Sequence, residues 1–549
     1  MQYQFILNSS WTRTCHAGGG GPHPQVTREW QTNLSLLGHR RGSKLQQTVV
    51  ICGGSIAGLI SARVCADHFQ NIIIIDPTDH QIAKTGQDMT KKRVAQYDSL
   101  HVYLTFMVDG LRRLWPNLEA SIEQAGGLFR PGDFRLHFAG IPILAAHAAY
   151  PKTTSKAGDD STKTTGLPSA MFIRRPKFEA VLYQLLIESS SDCIQMIQGS
   201  VTGLVPSGDM CNIQSVDVRT ADGGEKTVED VALVIDCTGS TQAGLKWLKT
   251  SGFISPRTDG DLRLTYNPKL SYVTVSFQDF GDLAQDLPIP GGFDQAGFIC
   301  TYNAYPKWGN SGFVFARMDD TIQLCCIGQG NINLPRESGD VLPYVRSVKG
   351  VHPPPEWVIE VIDMLLESER RGEATITFRP LKLPSVSFVQ YHKMMHSLPS
   401  NFIAIGDSEV QINPLFGQGC SKALYGAMIL NSVLHKYVPT TTLSRLPKNF
   451  SMLYFRCSHR AIEDLWTSTK ALDYGYSTTI PVKGESRTRE GAITRWYSYS
   501  ACRAAETDEV VASALWHVRM LAMPQLEIFK PRVVWGVLRW VLVNAIVGS

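Results

Sequence analysis

The chain has 549 residues, which is long enough for two or more domains with separate cores. Apolar residues account for 43% of the sequence and charged residues for 19%, and these values exclude an intrinsically disordered chain. The formal net charge of +4 is spread along the chain without a long basic run, which argues against a nucleic-acid-binding protein.

The twelve cysteines are scattered without zinc-site spacing, and most lie inside apolar segments. We therefore expect reduced core cysteines, a cytoplasmic protein and no metal site.

The first 46 residues are rich in Gly, Thr, Ser and Arg and include a run of four glycines at 18–21. They contain no apolar stretch of signal-peptide length. We predict a loosely ordered extension over 1–46. Because acidic residues are almost absent from it, a transit peptide remains an alternative.

Residues 47–77 have the pattern of a βαβ unit, with strands at 48–52 and 72–75 and a helix at 57–69. A glycine turn at the start of such a helix exposes backbone N–H groups that can bind a pyrophosphate. An acid at the end of the second strand can bind a ribose hydroxyl. The predicted cofactor-binding residues of this unit are Gly53, Gly54, Ser55, Ala57, Gly58 and Asp76. An ordinary strand, turn and helix of a parallel sheet is the alternative for this stretch alone.

After Asp76 the chain becomes polar and basic before a predicted helix at 100–115. Lys91, Lys92 and Arg93 precede Gln96 and His101, and such a cluster could neutralise a phosphate or steer a reductant. A solvated basic loop is an equally good interpretation of the charge. Residues 151–166 have few apolar side chains and are predicted to form an exposed loop.

Two later segments suggest the continuation of the same sheet. Arg175 and Pro176 open a predicted helix, where proline suits the first turn. The apolar strand at 231–236 ends in Asp236, and Gly239 follows in a tight turn, as expected where a strand meets a bound cofactor. A plain strand end is the alternative for this second segment.

Between about 255 and 395 the sequence changes to two-residue alternation, which predicts a separate antiparallel sheet with one hairpin at 312–328 and a helix near 356–370. Aromatic residues are frequent here. They could line an apolar pocket, although packing in the core also explains them.

The segment 401–434 has a pattern similar to that of residues 47–77. A buried strand at 402–405 is followed by a glycine, an acid and a glycine-lined helix start. The predicted binding residues here are Asp407, Pro414, Gly417, Gln418 and Gly419.

Together these segments resemble the FAD-dependent monooxygenases of the para-hydroxybenzoate hydroxylase superfamily, in the branch that often carries GGSIAGL. The resemblance runs from about residue 47 to 440, and its most specific segment is 406–419. It implies an α/β fold with a Rossmann-type FAD-binding domain, an inserted antiparallel-sheet substrate domain and a C-terminal helical region. The implied domains are 47–130, 196–250 and 396–440 for FAD, 131–195 and 251–395 for the substrate, and a helical cap at 441–549.

The resemblance also implies a function. NAD(P)H, bound transiently, would reduce FAD, and O2 would supply the oxygen for hydroxylation or epoxidation of an apolar small molecule such as a terpenoid or polyketide. His101 and Arg175 are the predicted catalytic residues and are expected to lie near the flavin. Arg93, Gln96, Arg175, Asp236 and Gly239 are further predicted cofactor contacts. The alternatives are a flavin-dependent reductase or dehydrogenase, a scaffold with an inactive site and, less favoured because W-x-W-x-I-P is missing, a halogenase.

The final apolar stretch, 533–547, contains Arg539 and is short for a membrane span. We predict an amphipathic helix docked on the enzyme. A peripheral membrane contact is the alternative.

Overall fold

Two sheets of different architecture dominate the chain. The computed structural model describes residues 28–39, 42–78, 96–150, 166–255, 262–438 and 446–547. Arg93 and nearly all of the predicted exposed loop lie outside these ranges. The strands are β1 Leu45–Cys52, β2 Phe69–Asp76, β3 Leu128–Pro131, β4 Leu136–Phe138, β5 Ile141–Ile143, β6 Ser169–Phe172, β7 Ile194–Pro206, β8 Ile213–Thr220, β9 Glu225–Val228, β10 Val231–Asp236, β11 Arg263–Tyr266, β12 Leu270–Gln278, β13 Phe298–Asn303, β14 Ser311–Met318, β15 Thr321–Gln329, β16 Thr375–Lys382, β17 Val386–Val389 and β18 Phe402–Ala404.

The helices of the described residues alternate with these strands in the first half of the chain and follow one another in the last hundred residues. They are α1 Arg28–Ser35, α2 Ile56–Ala66, α3 Thr105–Leu114, α4 Leu118–Gln124, α5 Arg175–Ser190, α6 Ala243–Thr250, α7 Leu283–Asp286, α8 Ser338–Ser347, α9 Glu356–Arg370, α10 Gly419–Tyr437, α11 Phe450–Asp473, α12 Ala492–Ala504, α13 Glu509–Arg519 and α14 Pro531–Val547.

The first sheet has the strand order β18-β10-β1-β2-β7-β8-β9. Its strands are parallel from β18 to β7, whereas β7, β8 and β9 form an antiparallel extension. The central strands read as apolar runs because a parallel sheet is covered on both faces. Helix α2 packs on one side together with α10 and α5. The carboxyl ends of β1, β2, β10 and β18 therefore meet at one edge.

The second sheet has the order β16-β12-β15-β14-β13-β4-β5. It is antiparallel, as predicted, except that β13 and β4 run parallel. The hairpin of β14 and β15 turns at Asp319 and Asp320, as the alternation predicted. Helices α8 and α9 share an apolar core with this sheet.

Two packing arrangements concern the predicted ranges 1–46 and 131–195. The division of the chain into domains stays a prediction. Part of the extension predicted as loosely ordered is helix α1. Leu34 in this helix and Leu37 just after it are buried against the core. Asn431 Nδ2 in α10 donates to the Leu36 carbonyl at 3.0 Å, which fixes this segment. Helix α5 falls in the range predicted for the substrate domain but packs against α2 of the first sheet.

The C-terminal residues form four helices, as the predicted helical region requires. Ile141 and Ile143 of β5 share a small core with α12, α13 and α14. Val533 and Val537 are buried in that core, so α14 is docked on the protein as predicted. None of the helices in the described part of the chain has both the length and the apolar character needed to cross a bilayer.

Candidate active site

The turn between β1 and α2 has no room for side chains at two positions. Gly53 has a φ of +114°, and a Cβ there would lie 2.4 Å from the Cys237 carbonyl oxygen. A Cβ on Gly58 would lie 1.8 Å from the Gly53 carbonyl oxygen. These distances are far below any tolerated contact, so both positions require glycine. Helix α2 therefore begins directly against the end of β1.

Asp76 ends β2 and holds the same turn. Its Oδ2 accepts a hydrogen bond from the Gly54 backbone N–H at 2.6 Å, and its Oδ1 accepts one from Thr78 at 2.8 Å. A cavity of about 530 Å³ opens next to it. The cavity is lined by Pro77, Gly199, Ser200, Val201, Thr202, Arg219, Thr220, Ala221, Lys246, Trp247 and Thr250. The predicted acid, Asp76, and this cavity thus both lie at the carboxyl end of β2.

The loop from 406 to 419 lies beside the start of α2. A Cβ on Gly406 would come within 3.5 Å of the Ala57 Cβ, which places the two predicted segments in contact. Gly417 has a φ of +63°, the left-handed conformation that glycine adopts readily. A Cβ on Gly419 would meet nothing within 4 Å. The N-terminus of α10 therefore faces open space, and the structure brings both glycine-lined helix starts to one place.

Asp407 has a cationic partner that our sequence analysis missed. Its side chain is 48% exposed, and it accepts a hydrogen bond at 2.6 Å from Nζ of Lys422, which is fully buried. Lys422 Nζ also donates to the Val410 carbonyl. Glu409 is buried nearby, and burial raises its pKa to about 8 despite Lys422. The available signal was a lysine in an otherwise apolar helix, three residues after Gly419.

Arg175, at the start of α5, ties together several residues at the N-terminus of α2. Its Nε donates to Glu179 Oε1 at 2.8 Å, and its Nη2 donates to Ser55 Oγ at 3.2 Å. Ser55 Oγ in turn donates to Glu179 Oε1 at 2.7 Å. Ser55, one of the predicted cofactor-binding residues, is thus held by two side chains that follow it by 120 and 124 residues in the sequence.

His101 belongs to the same cluster and is held in one tautomer. Its Nδ1 lies 2.8 Å from the Ser99 carbonyl and must donate to it, which leaves Nε2 to accept from Arg175 Nη1 at 3.4 Å. Burial, together with the Arg175 charge, lowers the pKa of His101 to about 3. Burial is the largest single influence on Arg175 and lowers its pKa, but the combined influence of Glu179, Cys420 and Tyr103 raises that pKa above its ordinary value. His101 is therefore neutral, and its lone pair is engaged, which disfavours it as a catalytic acid or base.

Asp236 lies at the strand edge but faces the protein. It is fully buried and accepts hydrogen bonds from Thr238 at 2.9 Å, from Gly244 at 2.8 Å and from Ser408 Oγ at 3.0 Å. These contacts join the end of β10 to the loop that follows β18. Asp236 holds this edge in place, and its burial disfavours the direct cofactor contact that was predicted.

Three of the remaining predicted residues, Gly239, Pro414 and Gln418, lie in the segments that follow β10 and β18. Gly239, in the turn after β10, donates from its N–H to Ser408 Oγ at 2.9 Å. Pro414 opens a short helical turn. Gln418 is buried, and its Oε1 has no hydrogen-bond partner. Gln96 is partly exposed at the start of a described segment, so its predicted cofactor contact, like that of Arg93, stays a prediction.

A second cluster that our sequence analysis missed links the C-terminal region to this loop. Asp473, the last residue of α11, is fully buried and accepts hydrogen bonds from Tyr266 Oη at 2.7 Å and from Asn413 Nδ2 at 2.8 Å. Asn413 precedes Pro414. No local pattern marks these three residues, because they come from three distant parts of the chain.

Comparison with known proteins gives matches in structure alone. No family model matches the sequence, and no curated protein matches it either. A flavoprotein/dehydrogenase from Cytophaga hutchinsonii superposes with a TM-score of 0.51 at 11% identity, covering 87% of this chain and 93% of that one. The 2-methyl-3-hydroxypyridine-5-carboxylic acid oxygenase superposes with a TM-score of 0.50 at 12% identity, covering 82% and 97%. The chain has a flavoprotein fold. This confirms the predicted fold class.

Proposed function

We propose that this flavoprotein fold serves an FAD-dependent monooxygenase that uses NAD(P)H and O2 to hydroxylate or epoxidise a small, largely apolar molecule. We further propose that the substrate is a secondary metabolite such as a terpenoid or polyketide. The observation that carries the proposal is the meeting of two glycine-lined helix starts, each with an acid at a neighbouring strand end, around one open space.

The residues at this place fit FAD. Gly53 and Gly58 leave the backbone of the first turn bare, and Asp76 ends the adjacent strand, which suits the ADP half of the cofactor. Open space in front of Gly419 and the unpartnered Gln418 Oε1 mark a second place where a polar ligand would be accepted. Asp407 lies between Gly58 and Gln418 in the sequence and is partly exposed. Its carboxylate can accept hydrogen bonds from hydroxyl groups of the cofactor.

When bound, FAD supplies the redox chemistry. The chain supplies orientation and electrostatics around it. The free N–H groups at the start of α10 favour negative charge, since they lie at the positive end of the helix dipole. The ion pair of Arg175 and Glu179 fixes Ser55 at the start of α2. Phe134, Phe172 and Phe298 pack edge to face nearby, and such apolar walls exclude water.

The test begins with a visible absorbance spectrum of the purified protein, before and after adding FAD. Oxidation of NADH and NADPH in air then follows, with oxygen uptake measured on a panel of apolar substrates. We expect a flavin spectrum and oxygen uptake that substrate stimulates. Asp407→Ala should retain less FAD than the native chain, whereas Asp286→Ala, an exposed acid far along the sequence, should not. Absence of flavin even after adding FAD would refute the proposal.

A flavin-dependent reductase or dehydrogenase is the second candidate. One structural match is itself described as a flavoprotein/dehydrogenase, which is the observation that keeps this alternative. The two candidates differ in their need for oxygen. Turnover of substrate under anaerobic conditions, with an added electron acceptor or donor and without oxygen incorporation, would favour the dehydrogenase or reductase.

We also propose a peripheral membrane contact through α14. One face of this helix is buried at Val533 and Val537, whereas Trp535 is 64% exposed, Leu542 57% and Ile546 75%. A row of exposed apolar residues on a terminal helix is typical of a segment that lies in a lipid interface. Such a contact would place the enzyme near an apolar substrate dissolved in a membrane.

Flotation with phosphatidylcholine vesicles, with and without phosphatidylserine, tests this contact. We expect the native chain to float with vesicles and the triple variant Trp535→Ser, Leu542→Ser, Ile546→Ser to remain in the soluble fraction. Ile493→Ser removes an exposed apolar residue outside α14 and should float like the native chain. Equal flotation of the native chain and the triple variant would refute the contact.

A further inference from the structure

The start of α5 concentrates positive charge. Arg174 stands directly before the helix, Arg175 opens it and Lys177 follows in the first turn, which contains no acidic residue. A helix N-terminus is the positive end of the helix dipole, so cations there are unfavourable unless an anion offsets them. An anion that stabilises this turn therefore has to come from later in the helix or from another part of the chain.

Asp319 supplies such an anion from the second sheet. It lies at the tip of the hairpin of β14 and β15, and its Oδ2 is 2.9 Å from both Arg174 Nε and Lys177 Nζ. These two cations are three residues apart, so they lie on one face of the helix. The Asp319 side chain is fully buried, whereas that of its neighbour Asp320 is 75% exposed and lies 3.3 Å from Arg174. Burial raises the pKa of the Asp319 carboxyl, and both cations act against that rise.

The backbone of the hairpin has an unusual conformation at this residue. Asp319 has a φ of +49°, in the left-handed region that residues other than glycine rarely adopt. Thr321 Oγ1 donates to the Met318 carbonyl at 2.9 Å and closes the turn. A strained residue of this kind persists only where the surrounding structure fixes it. The position of the Asp319 carboxylate is therefore set by the second sheet as well as by its two cations.

Arg175 lies between these two cations in the sequence and makes different contacts. Its guanidinium donates to Glu179 and to Ser55, which stands at the start of α2. One helical turn thus joins the hairpin of the second sheet to the first glycine-lined helix start. If that turn moves, Arg175 moves with it and Ser55 loses one of its hydrogen bonds.

We propose that Asp319 is a positioning residue for the cofactor site. It holds the first turn of α5 against the second sheet, and this keeps Arg175 in contact with Ser55. The inference rests on the proposed function only where FAD binding is measured, because the contacts from the hairpin to α2 need no cofactor. Arg174 and Lys177 are each 32% exposed, so water can solvate both cations when the carboxylate is removed, and the variant should still fold.

The experiment compares Asp319→Asn with Asp320→Asn, which changes the exposed acid of the same hairpin, each alone and together with Ser55→Ala. Hydrogen–deuterium exchange with mass spectrometry, on the full chain before FAD is added, reports on the start of α2 at residues 53–60. We expect D319N to speed exchange there, whereas D320N should not. Titration of flavin fluorescence then gives the FAD affinity. D319N should weaken it roughly fivefold or more and D320N should leave it unchanged, and D319N should add little in the S55A background.

Two results would overturn the proposal. One is equal exchange at residues 53–60 in D319N and the native chain. The other is a loss of FAD affinity that has the same size with and without Ser55, because Asp319 would then act through the fold as a whole. If D319N does not fold, Lys177→Met takes its place, since it leaves Asp319 paired with Arg174. K177M should show smaller changes of the same kind, and no change would refute the proposal. Faster exchange in D319N, with no FAD binding by the native chain, would retain the positioning role and refute the flavin enzyme.

Discussion

Asp473 offers a test of how the C-terminal region is joined to the loop from 406 to 419 (the cofactor loop). It is fully buried, and burial raises its pKa from 3.8 to about 7 in spite of the hydrogen bonds from Tyr266 and Asn413. A carboxyl group with a higher pKa in the folded state binds its proton more tightly when folded. The folded protein should therefore lose stability as the pH rises between 3.8 and about 7.

The size of the effect follows from the two pKa values of Asp473. Between pH 5 and pH 8 this group should reduce the free energy of unfolding by about 3 kcal/mol, an upper estimate for a buried group. An unfolding entropy of roughly 2 cal/mol/K per residue, applied to a chain of this length, converts this to about 3 °C in melting temperature. Asp473→Asn removes the titration and keeps an acceptor oxygen.

The assay is thermal unfolding of the native chain and Asp473→Asn at pH 5 and pH 8. We expect the variant to gain about 3 °C relative to the native chain when the pH is raised from 5 to 8. Asp286→Asn, which changes an exposed acid, should show no such gain. If the difference between the native chain and Asp473→Asn is the same at both pH values, the pKa of Asp473 is not raised by folding and the reasoning fails.

Three further changes test the site. Gly58→Val should abolish flavin loading, because even its Cβ would lie 1.8 Å from a carbonyl oxygen of the preceding turn, whereas Gly208→Val, where a Cβ meets nothing within 4 Å, should load normally. Equal flavin absorbance in both would contradict the packing argument. Lys422→Met should weaken FAD binding roughly tenfold or more, since Asp407 would lose its buried partner, and an unchanged fluorescence titration would remove Lys422 from the site. His101→Gln should leave the pH dependence of kcat between pH 5 and 8 unchanged, because burial lowers the pKa of His101 to about 3, and a shifted profile would show that it titrates.

The elements that follow from local sequence were predictable. The helix at 356–370 and the strands around Gly53 were found because apolar periodicity and turn residues act over a few positions. The hydrogen-bond partners within the site were not predictable in this way. Ser55 and Glu179 are 124 residues apart, and no local pattern indicates that they would bond. Helix α1 was missed for the same reason, since it is held by contacts with α10 rather than by its own composition.

The C-terminal helices also hold the cofactor loop in position, and two independent contacts support this role. Asp473 at the end of α11 bonds to Asn413, and Arg519 at the end of α13 bonds to the Leu415 carbonyl. Both residues of the loop flank Pro414, so the backbone that leads to Gly417 and Gly419 is held from two helices at once. Since a helix start can favour a bound anion only if its position is fixed, the geometry of the cofactor loop depends on residues beyond 446. A substitution in α11 or α13 can therefore change flavin binding without touching any glycine of the loop.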